Sequence, residues 1–200
     1  MCTPTVGLMN LERLFSLLSS IHPLSDDFKA SVEQELTLLS LPKGHLLLEA
    51  PKVSKHAWFL DSGFAMSYTF LQGQLHVENF WGAGEVVLSL RSFFGQVPSA
   101  EFIKLVLPGN VICINYEGVQ RLFRRFPEAH YIYETVSSQY YEKSRERAYD
   151  LQHLSARDRY VKLLTRFPQI PQFVAQENIA SYVGIAPQSL SRLKRQMRNS

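Results

Sequence analysis

A single glycine, Gly184, separates two short amphipathic patterns near the C-terminus, and their spacing leaves few ways to fold the segment. Before it, Ile179, Ala180 and Val183 form one apolar stripe; after it, Leu190, Leu193 and Met197 recur at i, i+3 and i+7. Gly184 falls where a helix ends cheaply in a left-handed conformation, Ile185 can fill the angle that follows, and Pro187 suits the first turn of a new helix. Ala180 is small where two crossing helices approach closely. Residues 176–197 therefore predict a helix-turn-helix whose second helix is free to lie in a DNA major groove. An ordinary pair of surface helices uses the same turn chemistry, so the inference rests on turn, apolar spacing and polar face agreeing.

With Leu190, Leu193 and Met197 inward, the second helix presents Gln188, Ser189, Ser191, Arg192 and Arg195. Gln and Arg can pair bidentately with adenine and guanine edges, while Lys194, Arg195 and Arg198 can neutralise phosphates. The expected DNA-binding set is Gln188, Ser189, Ser191, Arg192, Lys194 and Arg195, with Gln176 at the start of the first helix. Charge is distributed accordingly. From Lys143 onward eleven lysines and arginines face four acids, out of 21 and 18 in the whole chain, so this segment is about +7 and the remainder about −4. A basic face alone is often merely solvated; here it coincides with the helix pair.

The body of the chain reads differently. A hydrophobic fraction of 46% with 20% charged residues marks a folded protein and excludes disorder. Residues 8–18 predict an amphipathic helix, with Leu11, Leu14, Phe15 and Leu18 inward. Ser25 is suited to cap a second helix, which Asp26 and Asp27 complement and which buries Phe28, Val32 and Leu36. From about residue 38 to 115 short β-prone runs follow one another every eight to twelve residues. Gln72-Gly73-Gln74 and Pro108-Gly109-Asn110 have hairpin chemistry. That spacing predicts an antiparallel barrel, jelly roll or other β-sandwich rather than βαβ units. A short helix over 117–126 precedes a stretch from Glu128 to about Gln152 without Gly or Pro, in which Ile132, Val136, Tyr140 and Tyr141 recur at helical spacing. Such a long helix is expected either to pack on its own barrel or to form a dimer seam, and the seam, through Ile132, Val136 and Tyr140, is the preferred reading. Ser155 caps a further helix whose Tyr160, Leu163 and Leu164 feed the helix-turn-helix core, and residues 168–173 connect to it.

Cys2 and Cys113 give neither a disulfide framework nor metal-ligand spacing; Cys113 reads as a small core residue. The six histidines show no ligand pattern, so neither metal nor cofactor is expected. Nothing resembles a secretion signal or a membrane span, which makes a cytoplasmic location the expectation. Ser40–Lys43 and Ser191–Lys194 match Ser-x-x-Lys, but four-residue matches arise by chance and no companion motif, phosphate loop or nucleophile elbow accompanies them. An enzyme is not expected.

In order, N-terminal helices, a β unit, a long helix and a C-terminal helix-turn-helix resemble the Crp/Fnr family of bacterial transcription regulators over nearly the whole chain. The matching segments are FLDSGFAMSYTF, the Gly84-Glu85 step, LSARDRYVKLL and ENIASYVGIAPQSLSRLKR. The last two together look most like a branch common in Bacteroidetes-type bacteria. The resemblance implies an α+β chain with three parts: a cyclic-nucleotide-binding-like jelly-roll or barrel domain (1–126) with flanking helices, a long dimerisation helix (127–152), and a winged-helix-like helix-turn-helix domain (153–200). The wing hairpin of some members is not expected, because the sequence stops soon after the recognition helix.

In that family the barrel holds a cyclic nucleotide through a cassette of roughly Gly-Glu-x-x-Gly-Glu-Leu, then Arg-Ser/Thr-Ala. Here the first pair is Gly84-Glu85, the second falls on Leu88-Ser89, and the end reads Pro98-Ser99-Ala100. The resemblance assigns the missing Glu to the ribose and the missing Arg to the cyclic phosphate. An unpaired buried anion costs several kcal/mol, and Arg91, the one cation within the cassette, stands elsewhere. Cyclic AMP is therefore not the expected ligand, and an unknown small effector is left open. The candidate effector pocket is Gly84, Glu85, Ser89, Arg91, Ser99 and Ala100, with Phe80, Trp81, Phe93 and Phe94 either lining it or forming core. The family's base-reading positions fall on Gln188, Ser189 and Arg192; Pro187 replaces a frequent Arg, and Ala186 a capping Ser or Thr worth about 1 kcal/mol. The expectation is a homodimeric, sequence-specific transcription regulator that binds double-stranded DNA, does not respond to cyclic AMP and has RNA polymerase as a candidate partner. The competing expectation is a ligand-binding sensory module acting through protein contacts.

Overall fold

The protein is described by a computed structural model covering residues 11–198, the side chain of residue 198 excepted. Residues 8–10 of the first expected helix, and Cys2, lie outside the described residues. The chain opens with α1 (Leu11–Ile21) and α2 (Asp26–Glu35). Ser25 caps α2 by accepting from Phe28 N and donates to Glu128 Oε1 at 2.7 Å, which ties α2 to a helix a hundred residues later. Leu36 does not extend α2 as expected. It begins β1 (Leu36–Leu41), where every residue from Leu36↔Ile114 to Leu41↔Gly109 has a partner across the ladder, and those pairings outweigh one more turn of helix.

Seven further strands follow among the described residues: β2 (Leu46–Leu48), β3 (His56–Leu60), β4 (Phe64–Leu71), β5 (Gln74–Gly82), β6 (Val86–Val87), β7 (Phe102–Leu107) and β8 (Gly109–Asn115). A short helix, α3 (Leu90–Gly95), interrupts them and was not expected from sequence. They form two antiparallel four-stranded sheets, ordered β1-β8-β3-β6 and β2-β7-β4-β5, packed as a jelly-roll sandwich and not closed into a barrel. Trp58, Leu60, Trp81, Ile103, Leu105 and Val111 fill the space between them, and Cys113 joins this core as expected.

The two turns singled out by sequence behave differently. Gln72 and Gly73 both take positive φ (52° and 77°) and close the β4–β5 hairpin between Leu71 and Gln74, as two-residue hairpins require. Pro108-Gly109 closes no hairpin, because β7 and β8 lie in different sheets. The chain there crosses between sheets so tightly that a Cβ on Gly109 would fall 2.2 Å from the Ser62 carbonyl oxygen.

α4 (Tyr116–Arg125), capped by Asn115, leads to α5 (Pro127–His153), 27 residues and about 40 Å long at 1.5 Å per residue. α5 lies against its own chain. Ile132 packs with Leu14, Leu18, Phe59 and Ile112, and the Tyr140 hydroxyl donates to Val86 O (2.8 Å) while accepting from Leu88 N (3.1 Å). Val136 is half-buried on the same side. Of the stripe expected at a seam between two chains, Ile132 and Tyr140 thus make contacts within their own chain, while Ile132 and Val136 stay half-buried along an apolar groove. Beyond the break at Leu154, α6 (Ala156–Arg166), α7 (Ile170–Phe173), α8 (Gln176–Val183) and α9 (Pro187–Arg198) complete the described chain, with no strand after β8 among the described residues. These helices cover the outer face of the second sheet. One apolar cluster runs from Phe64, Met66 and Phe80 into Leu163, Ile179 and Leu190.

Candidate nucleic-acid interface and the cavity beside it

The helix-turn-helix is built as its spacing requires. Gly184 ends α8 at φ 77°, ψ 38°, its N–H donating to Ser181 O, while Ile185 N donates to Ala180 O at 3.0 Å. These two bonds satisfy carbonyls that the helix end leaves unpaired. Ala180 and Val183 are fully buried, as is Leu190 on α9, with Leu193 and Met197 packed beside them. The opposite face of α9 is open: Gln188, Arg192 and Arg195 are exposed, Ser189 and Lys194 half-buried. Among the described residues no carboxylate pairs with Arg192, Lys194 or Arg195, so their charge is uncommitted. Gln176 and Ser191, expected among the DNA contacts, also hydrogen-bond within the fold. Gln176 Nε2 donates to Ser191 Oγ (2.5 Å) and to Pro187 O (3.2 Å), and Ser191 Oγ donates to Pro187 O. They fix the angle of α9 to α8.

The unit is docked on the sandwich through polar contacts. β5 is the edge strand of its sheet, and α8 lies along it. Ser181 Oγ accepts from Val77 N (2.9 Å) and donates to Leu75 O (3.2 Å), replacing the missing neighbour strand. Arg147 of α5 donates to Val77 O and Tyr182 O, with its guanidinium 4.0 Å from the Tyr182 ring centre. Arg159 joins Leu154 O, at the α5–α6 break, to Val183 O, at the end of α8. Glu85 holds Arg166 of α6 at 2.7 Å and Lys143 of α5 at 3.3 Å, and accepts from Gly82 N.

Sandwich, α5, α6 and Tyr182 of α8 together line a half-open cavity of about 820 Å³. Of the residues expected to line it, Ser89 and Ser99 come together, both buried, with their hydroxyl oxygens 3.5 Å apart. Arg91 lines it from an exposed position. Gly84 makes the turn (φ 89°) before Glu85, whose carboxylate is occupied by Arg166 and Lys143 and so serves as a brace, not as a ligand contact. Ala100 is exposed. Phe80 and Phe93 are wholly buried core; Phe94 packs on Phe123 and Tyr133. Of the four aromatic residues offered for its wall, Trp81 lines the cavity; sequence reading missed Glu101, Ser67 and Tyr140, which give the inner end its character. Burial pushes the Glu101 carboxyl above its ordinary value, an effect the hydroxyls of Ser89 and Ser67 oppose and the negative charge of Glu78 reinforces. Burial likewise raises the Tyr140 phenol. Among the described residues the buried Trp81 indole N–H makes no close hydrogen bond, and it acts on the Tyr140 phenol against the effect of burial. Only the serine-rich end of the cassette, SxxxxxxxxxSAE, hinted at a polar interior.

No group of three or more His, Cys, Asp and Glu among the described residues could hold a metal ion, and no helix of those residues is long and apolar enough to cross a membrane. No protein-family profile and no curated protein matches the chain. Solved structures do match. The global regulator CLP of Xanthomonas campestris, described as c-di-GMP responsive, is 16% identical, with 88% of this chain and 92% of that one covered at a TM-score of 0.70. FixK2 of Bradyrhizobium japonicum is 14% identical, covering 82% and 85%, also at 0.70. A Eubacterium rectale chain assigned to the Crp/Fnr family of transcriptional regulators is 14% identical, covering 88% and 84%, again at 0.70. At such identities the likeness establishes a shared fold.

Proposed function

We propose that this chain, which has the fold of the Crp/Fnr regulators, belongs to that family and acts as a homodimeric, sequence-specific DNA-binding transcription regulator without enzymatic activity. The observation that carries the reading is the face of α9: Gln188, Arg192 and Arg195 exposed, the two arginines without a carboxylate partner among the described residues, backed by a fully buried Leu190 and braced by Gln176 and Ser191. Arg192 is the residue assigned to guanine, and Lys194 and Arg195 to phosphates. With Ile132 and Tyr140 turned inward, the dimer contact falls to the outward side of α5, where Tyr141 is 63% and Tyr149 59% exposed. Two-fold symmetry then sets two recognition helices in successive major grooves, about 34 Å apart, on a near-palindromic site.

The reading also excludes cyclic AMP as effector, since the inner end of the cavity offers a carboxyl and hydroxyls where a cyclic phosphate needs a cation. A signal would act through the break at residues 152–155, which Arg159 links directly to the end of α8. RNA polymerase is a proposed further partner in a cytoplasmic setting. Selection of bound DNA from a random pool at two salt concentrations tests the core of this. The expected result is a palindrome with steep salt dependence and a loss of about 5- to 150-fold on Arg192→Ala, the value of one bidentate base contact. A monomer that ignores every duplex, or binds equally well after Arg192→Ala, refutes it and favours a sensor acting through protein contacts.

A further inference from the structure

The inner end of the cavity is short of one positive charge. Glu101 lines it beside the hydroxyls of Ser67 and Ser89, which are 1% and 4% exposed. The other charge that acts on its carboxyl is Glu78, which is also negative. Six cations line the cavity, and five are engaged elsewhere. Lys143 and Arg166 hold Glu85; Lys162 holds Glu146 and Asp150 at 2.6 Å; Arg147 and Arg159 donate to backbone carbonyls. Arg91, the sixth, is exposed. A buried carboxylate with no cation is costly when ionised, and the cost disappears once a cation is supplied.

We propose that this end of the cavity binds a small molecule carrying a protonated amine on an aromatic body, with the ammonium group held by Glu101. An ammonium has three donors and no acceptor, and Glu101, Ser67 and Ser89 present carboxyl and hydroxyl oxygens to take them. Trp81, Leu88 and Tyr140 form the wall beside it, suited to an aromatic ring and to a cation placed against indole or phenol. The volume, about 820 Å³, lies within the usual range for small-molecule sites. A phosphate or carboxylate ligand would meet Glu101 and Glu78 with like charge, so anions are selected against.

The test is calorimetric titration of the full chain with 2-phenylethylamine, beside 2-phenylethanol, 3-phenylpropanoate and cyclic AMP. The amine is expected to bind at least about tenfold more tightly than the alcohol, the worth of a charge-assisted hydrogen bond, with no binding of either anion. Glu101→Gln, which keeps the shape of the side chain, should bring amine and alcohol to similar affinity. Absence of amine binding, equal affinity for amine and alcohol, binding of an anion at this site, or indifference to Glu101→Gln each overturns the proposal. The amine-to-alcohol comparison on the unaltered chain stands even where the variant folds poorly. The titration contains no DNA, so its failure and a failure of the DNA-binding reading are separate results.

Discussion

Replacing Gly184 by alanine probes the turn on which α9 hangs. At φ 77°, ψ 38° an L-residue is disfavoured by about 1–2 kcal/mol. The new Cβ also lands 2.9 Å from Leu151 Cδ2 and 3.7 Å from an Arg159 guanidinium nitrogen. Leu151 is 43% exposed and ends in a movable methyl, so it gives way at a rotamer cost of about 0.5–1 kcal/mol. The sum, about 1.5–3 kcal/mol, is partly offset by the smaller entropy of the unfolded alanine chain, about 0.4–1 kcal/mol. A net loss of about 1–2 kcal/mol is expected, or a fall in urea midpoint of roughly 0.5–1 M at slopes near 2 kcal/mol/M, measured at fixed protein concentration. Two controls separate the contributions. Gly184→Asn should cost less, because Asn tolerates the left-handed region. Leu151→Ala should relieve the contact, so that the double variant with Gly184→Ala shows a coupling of about 0.5 kcal/mol. A neutral Gly184→Ala, or a double variant that is merely additive, would refute both the turn geometry and its contact with α5.

Two further outcomes follow from the cavity and the docking contact. The folded-state pKa of Glu101 lies above its ordinary 4.5, so the folded state favours the protonated carboxyl; that advantage is complete below 4.5 and is lost as pH rises through the raised value. Glu101→Gln should therefore match the wild type near pH 4 and exceed it in urea resistance near pH 7, and a constant difference across that range would contradict the burial of this carboxyl. Ser181→Ala leaves Val77 N, in a residue only 2% exposed, without its acceptor. A cost of about 1–3 kcal/mol is expected, together with faster hydrogen exchange at the Val77 amide, and unchanged exchange there would mean that α8 does not rest on β5.

The parts legible in the sequence were those decided locally. Gly184 with its flanking stripes, the Gln72-Gly73 hairpin and the caps Ser25 and Ser155 each depend on residues within a turn or two, and each appears as its chemistry requires. What was not legible depended on distant partners. Pro108-Gly109 has the residues of a hairpin turn, yet which sheet receives the next strand is set by β1 and β3 pairing with β8. The stripe on α5 announces that Ile132 and Tyr140 will be buried, and says nothing of whether this chain or another buries them. Glu101 gave only the faint signal of its serine-rich neighbours, since a glutamate before a strand ordinarily faces water. Gln176 and Ser191 were read as free because each is polar and on the right helix; only the crossing of α8 and α9 turns them toward one another.

The seat of α8 on β5 has a cost whenever the two part. Leu75 O, Val77 N and Val77 O are satisfied by Ser181 and Arg147, and all three lie on the open margin of a sheet. Withdrawing the helix bares a ready template for a foreign strand, the kind of margin through which chains stick together sheet to sheet. Freedom for the helical unit is thereby bound to a hazard of self-adhesion, and under the proposed function a duplex that engages the freed unit does nothing to shield the strand left behind.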